Sequence, residues 1–460
     1  MKKFTFLSLF LFSEIIFAQK QALPTPRQLN WQKLSYYAFT HFGPNTFTDL
    51  EWGHGTETED IFNPTALDCE QWVKTFKQAG LEGVIITAKH HDGFCLWPSK
   101  YSKHTVRESK WMNGKGDVLK NLSNACKKYG LKFGVYLSPW DRNHPEYGTE
   151  KYNPIFVKML TEVLTNYGPI FEVWFDGANG EGPNGKKQVY DFELFNATVR
   201  KLQPNAVIFS DVGPDTRWVG NERGFAGETN WVTINNQGWF AGKAGIEKQL
   251  NEGHENGYAY QPTEVDVSIR PGWFFHEKEN EKVKTADQLM DIYLKSVGRN
   301  GSLLLNIPPD RVGRIHKNDS LALLAFKQKR DELMAKKVKI NTNEVLVNGK
   351  KTTLAKVLID GNNDTFISAK INEKSLEIEL NFEKITPTKG IMLREYLPKG
   401  QHIKSFEIEG FDGNNWTNIS KGTTIGNRRI LTWNTLNISK LRVEILDAFD
   451  TINLSGIEVY

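Results

Sequence analysis

Short apolar runs alternate along most of the chain with longer stretches in which apolar residues recur every third or fourth position. The runs predict buried strands at residues 34–40, 83–89, 131–137, 171–175, 206–210, 264–269 and 302–305. The stretches at 70–78, 118–128, 155–165, 192–202 and 286–297 predict amphipathic helices. Such alternation predicts βα units, hence an α/β domain built on a parallel sheet. Each predicted strand stops at polar or aromatic residues: His41-Phe42-Gly43, His90-His91-Asp92-Gly93, Ser138-Pro139-Trp140-Asp141, Asp176-Gly177, Asp211, Arg270-Pro271-Gly272-Trp273 and Asn306. Catalytic groups of a (β/α)8-like barrel gather at the carboxyl ends of its strands, so this architecture is expected for residues 19–336. The run from Phe171 to Phe175 delivers Asp176 directly before a glycine, which makes Asp176 the leading chemical candidate. A plainer reading is a strand-terminal Asp that caps the next turn.

Two segments depart from the alternation. Residues 211–261, rich in Gly, Trp and Asn, are too long for an ordinary connection, and loops of that length in compact domains are usually functional. After a helical stretch at 318–334 the period shortens to two, with strands expected at 375–381, 403–411, 428–433 and 440–445. Residues 337–460 therefore read as a separate all-β sandwich.

Composition narrows the function. The 58 basic and 54 acidic residues leave a net charge of +4 without any Lys/Arg tract, which argues against nucleic acid as a partner. Thirteen Trp beside 28 Phe and 14 Tyr supply flat apolar faces suited to sugar rings, although barrel cores use the same residues. Met1-Lys2-Lys3, the apolar run 4–17 and Ala18-Gln19 predict a signal peptide over residues 1–18, hence a secreted or periplasmic protein. The run is too short, and too interrupted by Glu14, for a transmembrane segment. Cys69, Cys95 and Cys126 show no metal-like spacing and read as buried thiols with at most one bridge. No nucleophile elbow, P-loop or dinucleotide fingerprint is present, and Lys89, beside histidines, reads as structural.

The segments His41-Phe42-Gly43, Phe47 to Gly53, Ala88 to Phe94, Leu137 to Asp141, Trp174 to Gly177 and Asn306 to Asp310 together resemble the α-L-fucosidases of glycoside hydrolase family 29. The resemblance spans roughly residues 25–335. It implies a retaining hydrolase working by double displacement, with Asp176 as nucleophile. In the subfamily selective for α-1,3/1,4-linked fucose the acid/base lies in a Gly-Asn-Glu segment of the long loop after strand five. Here that segment is Gly220-Asn221-Glu222, so Glu222 is expected in the role, with Glu228 as its rival. The resemblance further implies that His41, His90, His91, Glu51 and Trp52 bind sugar hydroxyls, that Tyr136 lies beside the nucleophile, and that Trp174 lines the pocket. The His-His-Asp run could by composition hold a metal, but neighbouring strand residues point to opposite faces and no third ligand follows at a suitable spacing.

No cofactor is expected for catalysis. Asp360 to Thr365 and the terminal Ile457 to Tyr460 are similar to discoidin-like (factor 5/8 type C) sandwiches, which implies a candidate structural Ca2+ at Asp360, Thr365 and Glu458. An Asx-type turn without an ion fits the same residues. The expected partner is a fucosylated glycan, with Trp218, Trp231 and Trp239 of the long loop as stacking faces for sugars beyond the fucose. The competing function is a sugar-binding protein whose barrel is inactive.

Overall fold

The computed structural model describes residues 21–341, 345–351, 353–370, 375–449 and 451–460, so the expected signal peptide lies outside the described residues. Eight parallel strands form its first sheet: β1 Tyr36–Thr40, β2 Gly83–Lys89, β3 Lys132–Leu137, β4 Glu172–Trp174, β5 Val207–Phe209, β6 Arg217–Trp218, β7 Thr263–Ser268 and β8 Ser302–Asn306. They pair in the order β5-β4-β3-β2-β1-β8-β7-β6, and a parallel bridge from Phe209 to Thr216 brings the two edges together as a nearly closed barrel. Helices α1 Cys69–Gln78, α2 Val118–Tyr129, α3 Tyr152–Asn166, α4 Phe192–Leu202, α5 Glu247–Glu252, α6 Ala286–Ser296 and α7 Lys317–Met334 follow in chain order. Asp68, Asp117 and Asp191 begin α1, α2 and α4 by accepting a backbone N–H three residues on, which satisfies one orphan donor in each. Among the described residues no helix is long and apolar enough to cross a membrane.

The period of two along the strands decides which side chains meet. Tyr37, Phe39, Ile85, Tyr136, Trp174, Val207, Phe209 and Leu304 point inward and form one cluster, with Trp31 and Leu34. Their neighbours Tyr36, Ala38, Val84, Ile86, Val135, Val173, Ile208, Leu303 and Leu305 point outward into the helix layer. The interior also holds buried carboxyls, among them Glu172 and Glu264. Trp31 Nε1 donates to Glu172 at 2.7 Å, while Tyr37 Oη and Trp174 Nε1 donate to Glu264 at 2.6 and 2.7 Å. Burial, reinforced by Glu264, holds the Glu172 carboxyl well above the ordinary carboxylate range.

Seven of the eight strands follow the hydrophobic runs. The eighth, β6, is two residues long and too short to show any period, so the long loop begins after β6 and not after β5. Arg217 of β6 organises that loop from inside. Its buried guanidinium donates to Leu250 O at 2.8 Å, Trp231 O at 2.7 Å and Asn230 Oδ1 at 3.1 Å, and also to Gln261 O. All three cysteines are buried free thiols.

The carboxyl-terminal part is an antiparallel sandwich with its own apolar core. Two strands of 20 residues each, Leu376–Glu395 and Arg429–Ala448, dominate it. Register shifts after Asn381 and Thr388 bend the pair, so one strand serves where the sequence suggests two short ones. Asp360 Oδ1 accepts from Asn362 N at 2.7 Å and Oδ2 from Thr365 Oγ1 at 2.8 Å, and Glu458 pairs with Lys337 at 2.7 Å. This is the arrangement of an Asx-type turn.

Sandwich and barrel share an interface. Met392, Ile430 and Tyr460 join the barrel's outer core, and Ile430 N donates to Gly298 O at 2.9 Å. Glu228 is part of this seam: it pairs with Arg299 and, at 2.7 Å, with Arg429, whose side chain is 3% exposed. Glu228→Gln should therefore lower thermal stability, by about 1–2 kcal/mol given the exposure of the Glu. Activity of the folded variant should stay near wild type. A melting curve beside an activity assay checks both.

Candidate active site

Inward parity carries past the ends of β1 and β4, so His41 continues the face of Tyr37 and Phe39, and Asp176 that of Glu172 and Trp174. The Asp176 carboxylate is reached from β3 by Tyr136 Oη, which donates to Oδ2 at 3.0 Å. Ala178 N donates to Oδ1 at 2.7 Å, so the turn after β4 fixes the second oxygen. His91 Nε2 stands 3.8 Å from Oδ2.

The histidines are neutral acceptors. Ser138 Oγ gives its proton to Trp140 O at 2.9 Å, so His91 Nδ1, 2.8 Å away, must be the donor to Ser138, which leaves Nε2 bare. His41 Nδ1 likewise donates to Asn306 Oδ1 at 2.8 Å, because the Asn306 amide nitrogen is turned to Ser268 and to Trp273 O. Burial lowers His41 to about 3 and His91 to about 4, and it holds His90 well below the usual imidazole range. His90 and His91 lie beyond the end of β2, after a register shift between Thr87 and Lys89, with ring centroids 4.1 Å apart. They share one side of the site, contrary to the strand rule applied to them from the sequence.

Trp273, which the sequence marks only as a strand end, is the hinge of the remaining wall. Its ring lies 5.1 Å from that of His41, its N–H donates to Glu51 Oε2 at 2.9 Å, and its indole Nε1 donates to Glu222 Oε2 at 3.3 Å. Glu51 is held from its other oxygen by His276 at 2.6 Å. Glu222 as a residue is exposed at the mouth, yet crowding of its carboxyl and the anions Asp176 and Glu51 raise its pKa, while Trp273 pulls it down. Trp52, 59% exposed, forms an edge contact with Trp140 and another with His91. Removing the indole donor in Trp273→Phe should cost about 1 kcal/mol of acid placement, roughly fivefold in kcat. The loss should be larger for poor leaving groups, which steady-state kinetics on a leaving-group series would read.

Asp211 completes the floor beside Asp176. Its Oδ2 accepts from Gly242 N at 2.7 Å, and burial next to Asp176 raises it to about 6. A Cβ on Gly177 would lie 2.2 Å from that oxygen and 2.5 Å from Gly242 N, so glycine is required where the long loop crosses the turn after Asp176.

Other residues expected at the site are placed differently. Trp174 is 6% exposed, stacks on Phe209 at 4.0 Å and spends its N–H on Glu264, so it forms a floor beneath Asp176 and Tyr136. Trp218 is part-buried and donates to Asp266 at 2.8 Å. Trp231 is 5% exposed and packs on Phe449 of the sandwich, so it offers no face to a ligand at the mouth. Glu228, clamped at the seam, is not brought to Asp176. Lys89 is structural, in keeping with its reading from the sequence, and is buried in an ion pair with Asp141 at 3.3 Å. His144, His254 and His402 are each bonded to backbone.

A barrel mouth carrying a tyrosine-held carboxylate, a second carboxyl raised by burial and by the first, and neutral imidazole acceptors fits a glycoside hydrolase. Residues 21–328 match the family described as Alpha-L-fucosidase. The chain is 42% identical over 427 residues to Alpha-L-fucosidase 1 of Arabidopsis thaliana, covering 91% of this chain and 83% of that one. A glycoside hydrolase 29 family member from an unknown rumen bacterium superposes with a TM-score of 0.83 at 42% identity, over 96% of this chain and 78% of that one. A family 29 fucosidase of Ruminococcus gnavus in complex with fucose gives 0.86 at 31% identity over 96% of both chains. The protein belongs to the α-L-fucosidases of glycoside hydrolase family 29, a retaining family.

Proposed function

We propose that this fucosidase is exo-acting, works outside the cytoplasm, and removes terminal α-1,3- and α-1,4-linked fucose from branched glycans of the Lewis type. The observation that carries the reading is Glu222 on the long loop, held by Trp273 where the charge of the Tyr136-bound Asp176 acts on it. Asp176 Oδ attacks the anomeric carbon as Glu222 gives its proton to the leaving oxygen, forming a glycosyl-enzyme. Glu222 then takes a proton from water, whose oxygen displaces Asp176 and restores the configuration. His41 and His91 present bare ring nitrogens and Glu51 a carboxylate, so the pocket is rich in acceptors and suits a ligand whose hydroxyls all donate. An inactive, purely sugar-binding barrel is disfavoured because it would have little use for both carboxyls.

Secretion rests on the basic start, apolar run and Ala18-Gln19 of the first residues, and the sandwich is proposed to be a discoidin-like carbohydrate-binding module. Linkage preference must come from groups outside the fucose pocket. Phe240, 62% exposed, sits two residues before Gly242, which rests on Gly177 beside the nucleophile. It is the aromatic face best placed to meet the sugar that bears the fucose. Phe240→Ala should lower kcat/KM about tenfold on a branched Lewis trisaccharide and little on an aryl α-L-fucoside. Assay of the wild-type enzyme on the same two substrates tests the proposal: failure to release fucose from the trisaccharide while the aryl fucoside is turned over refutes the linkage assignment.

A further inference from the structure

A cleft of about 520 Å3 separates the barrel from the sandwich on the side of the helix Pro26–Gln32. That helix precedes β1, so the cleft opens at the amino-terminal end of the strands, away from Asp176. Lys33, Asn362, Arg394, Tyr396, Arg428 and Ser455 are among its lining residues. Arg394, Ser455, Gly361 and Asn363 also line an adjoining cavity of about 150 Å3.

Its charges are unbalanced in a way that the rest of the seam is not. Arg299 and Arg429 are neutralised by Glu228. Among the described residues, by contrast, Arg394 has no carboxylate within ion-pair distance. Its guanidinium donates only to Asn427 O at 3.3 Å and to the thioether of Met392 at 3.3 Å, and its buried Nε has no partner. A guanidinium has five N–H donors, and taking it partly out of water without acceptors is costly. The Arg428 guanidinium donates to Lys33 O at 3.4 Å, and burial, with the Arg428 charge second, lowers Arg394 to about 10 against the opposing charge of Glu458. Lys33 adds a third, exposed cation.

The acids nearby do not balance these charges: Glu458, whose charge acts on Arg394 from the adjoining cavity, is already paired with Lys337 at 2.7 Å. Glu395 spends one oxygen on His402 N at 2.6 Å and Ile403 N at 3.0 Å, and the other on Gly426 N at 2.7 Å. Asp364 is exposed at the rim. Beside the arginines the cleft offers Asn362 and Asn363, and the ring of Tyr396 stacked on Phe366 at 4.1 Å. We propose that this cleft binds an acidic saccharide, a sugar ring carrying a carboxylate or a sulfate, with Arg394 and Arg428 on the oxyanion and the amides and Tyr396 on the ring. The volume is that of a small-molecule site and far exceeds a lone anion, while paired arginines match the oxygens of either group. The fucosidase would thus hold a charged residue of its glycan at a second place, remote from the scissile bond.

Calorimetric titration of the full chain with N-acetylneuraminic acid, galactose 6-sulfate, galactose and inorganic sulfate tests this. The two charged sugars should each bind about tenfold or more tighter than galactose and than sulfate alone. Arg428→Gln should weaken them about tenfold while aryl fucoside hydrolysis is unchanged, and Arg394→Gln should do the same if it folds. If one charged sugar binds and the other does not, the assignment narrows to that oxyanion and stands. Equal affinity for galactose and its sulfate, equal affinity for free sulfate, or binding untouched by Arg428→Gln overturns the proposal.

Discussion

Asp176→Gly should reduce turnover of an aryl α-L-fucoside by at least about a thousandfold, because a group that forms the covalent intermediate has no substitute nearby. Asp211 is buried and turned to Gly242 N, and His91 Nε2 faces the same carboxylate as a neutral acceptor, so neither can replace the lost nucleophile. The fold should survive. Asp176 is 26% exposed and receives only Tyr136 Oη and Ala178 N, so its removal should cost about 1–3 kcal/mol. Added azide should restore part of the rate with an activated leaving group, and it should do so by a single displacement. The product would then be β-L-fucosyl azide, inverted at the anomeric carbon, whereas the wild-type enzyme retains configuration. Near-wild-type activity of the glycine variant without azide, or a rescued product of retained configuration, would remove Asp176 from the nucleophile's place.

Much of this site is legible in the sequence because strand parity and the glycine that ends each run are local properties. Leu34 to Thr40 and Phe171 to Phe175 read as alternating or continuous apolar runs, and the residue after each run is the one the barrel presents at its mouth. What fails is whatever depends on leaving the strand. The shift between Thr87 and Lys89 turns His90 and His91 to one side, and nothing in the residue pattern announces it. Strand β6 has two residues and cannot display a period, so the place of Glu222 in the topology was misread by one strand. Trp273 was visible as a strand end, but its link to both Glu51 and Glu222 is a tertiary fact. The tryptophans of the long loop show the limit most plainly. Trp218 and Trp231 have the same composition argument as Trp52, yet of the three only Trp52 is left open to solvent, because Asp266 holds the Trp218 indole and Arg217 and Phe449 draw Trp231 into a packed position.

Glu222→Gln should leave the first step nearly intact on a fucoside with a good leaving group and lower it by about 100-fold or more on a natural glycan, whose leaving alkoxide needs a proton. The pH profile gives the sharper reading. A general acid must hold its proton, so its titration sets the alkaline limb: kcat/KM falls as pH rises through the Glu222 pKa. That pKa is raised by burial and by the Asp176 and Glu51 charges, which moves the limb to higher pH than a free glutamate would allow. Glutamine cannot titrate, so the variant should lose the alkaline limb on the aryl substrate. Trp273→Phe should shift the same limb further upward, since the indole N–H favours the ionised carboxylate. Glu228 offers the control, because its carboxylate is committed to Arg299 and Arg429 at the seam with the sandwich. Glu228→Gln should lower the melting temperature without changing the leaving-group dependence or the limb. If the leaving-group dependence appears in Glu228→Gln and is missing in Glu222→Gln, the acid/base is Glu228 and the loop must rearrange on binding.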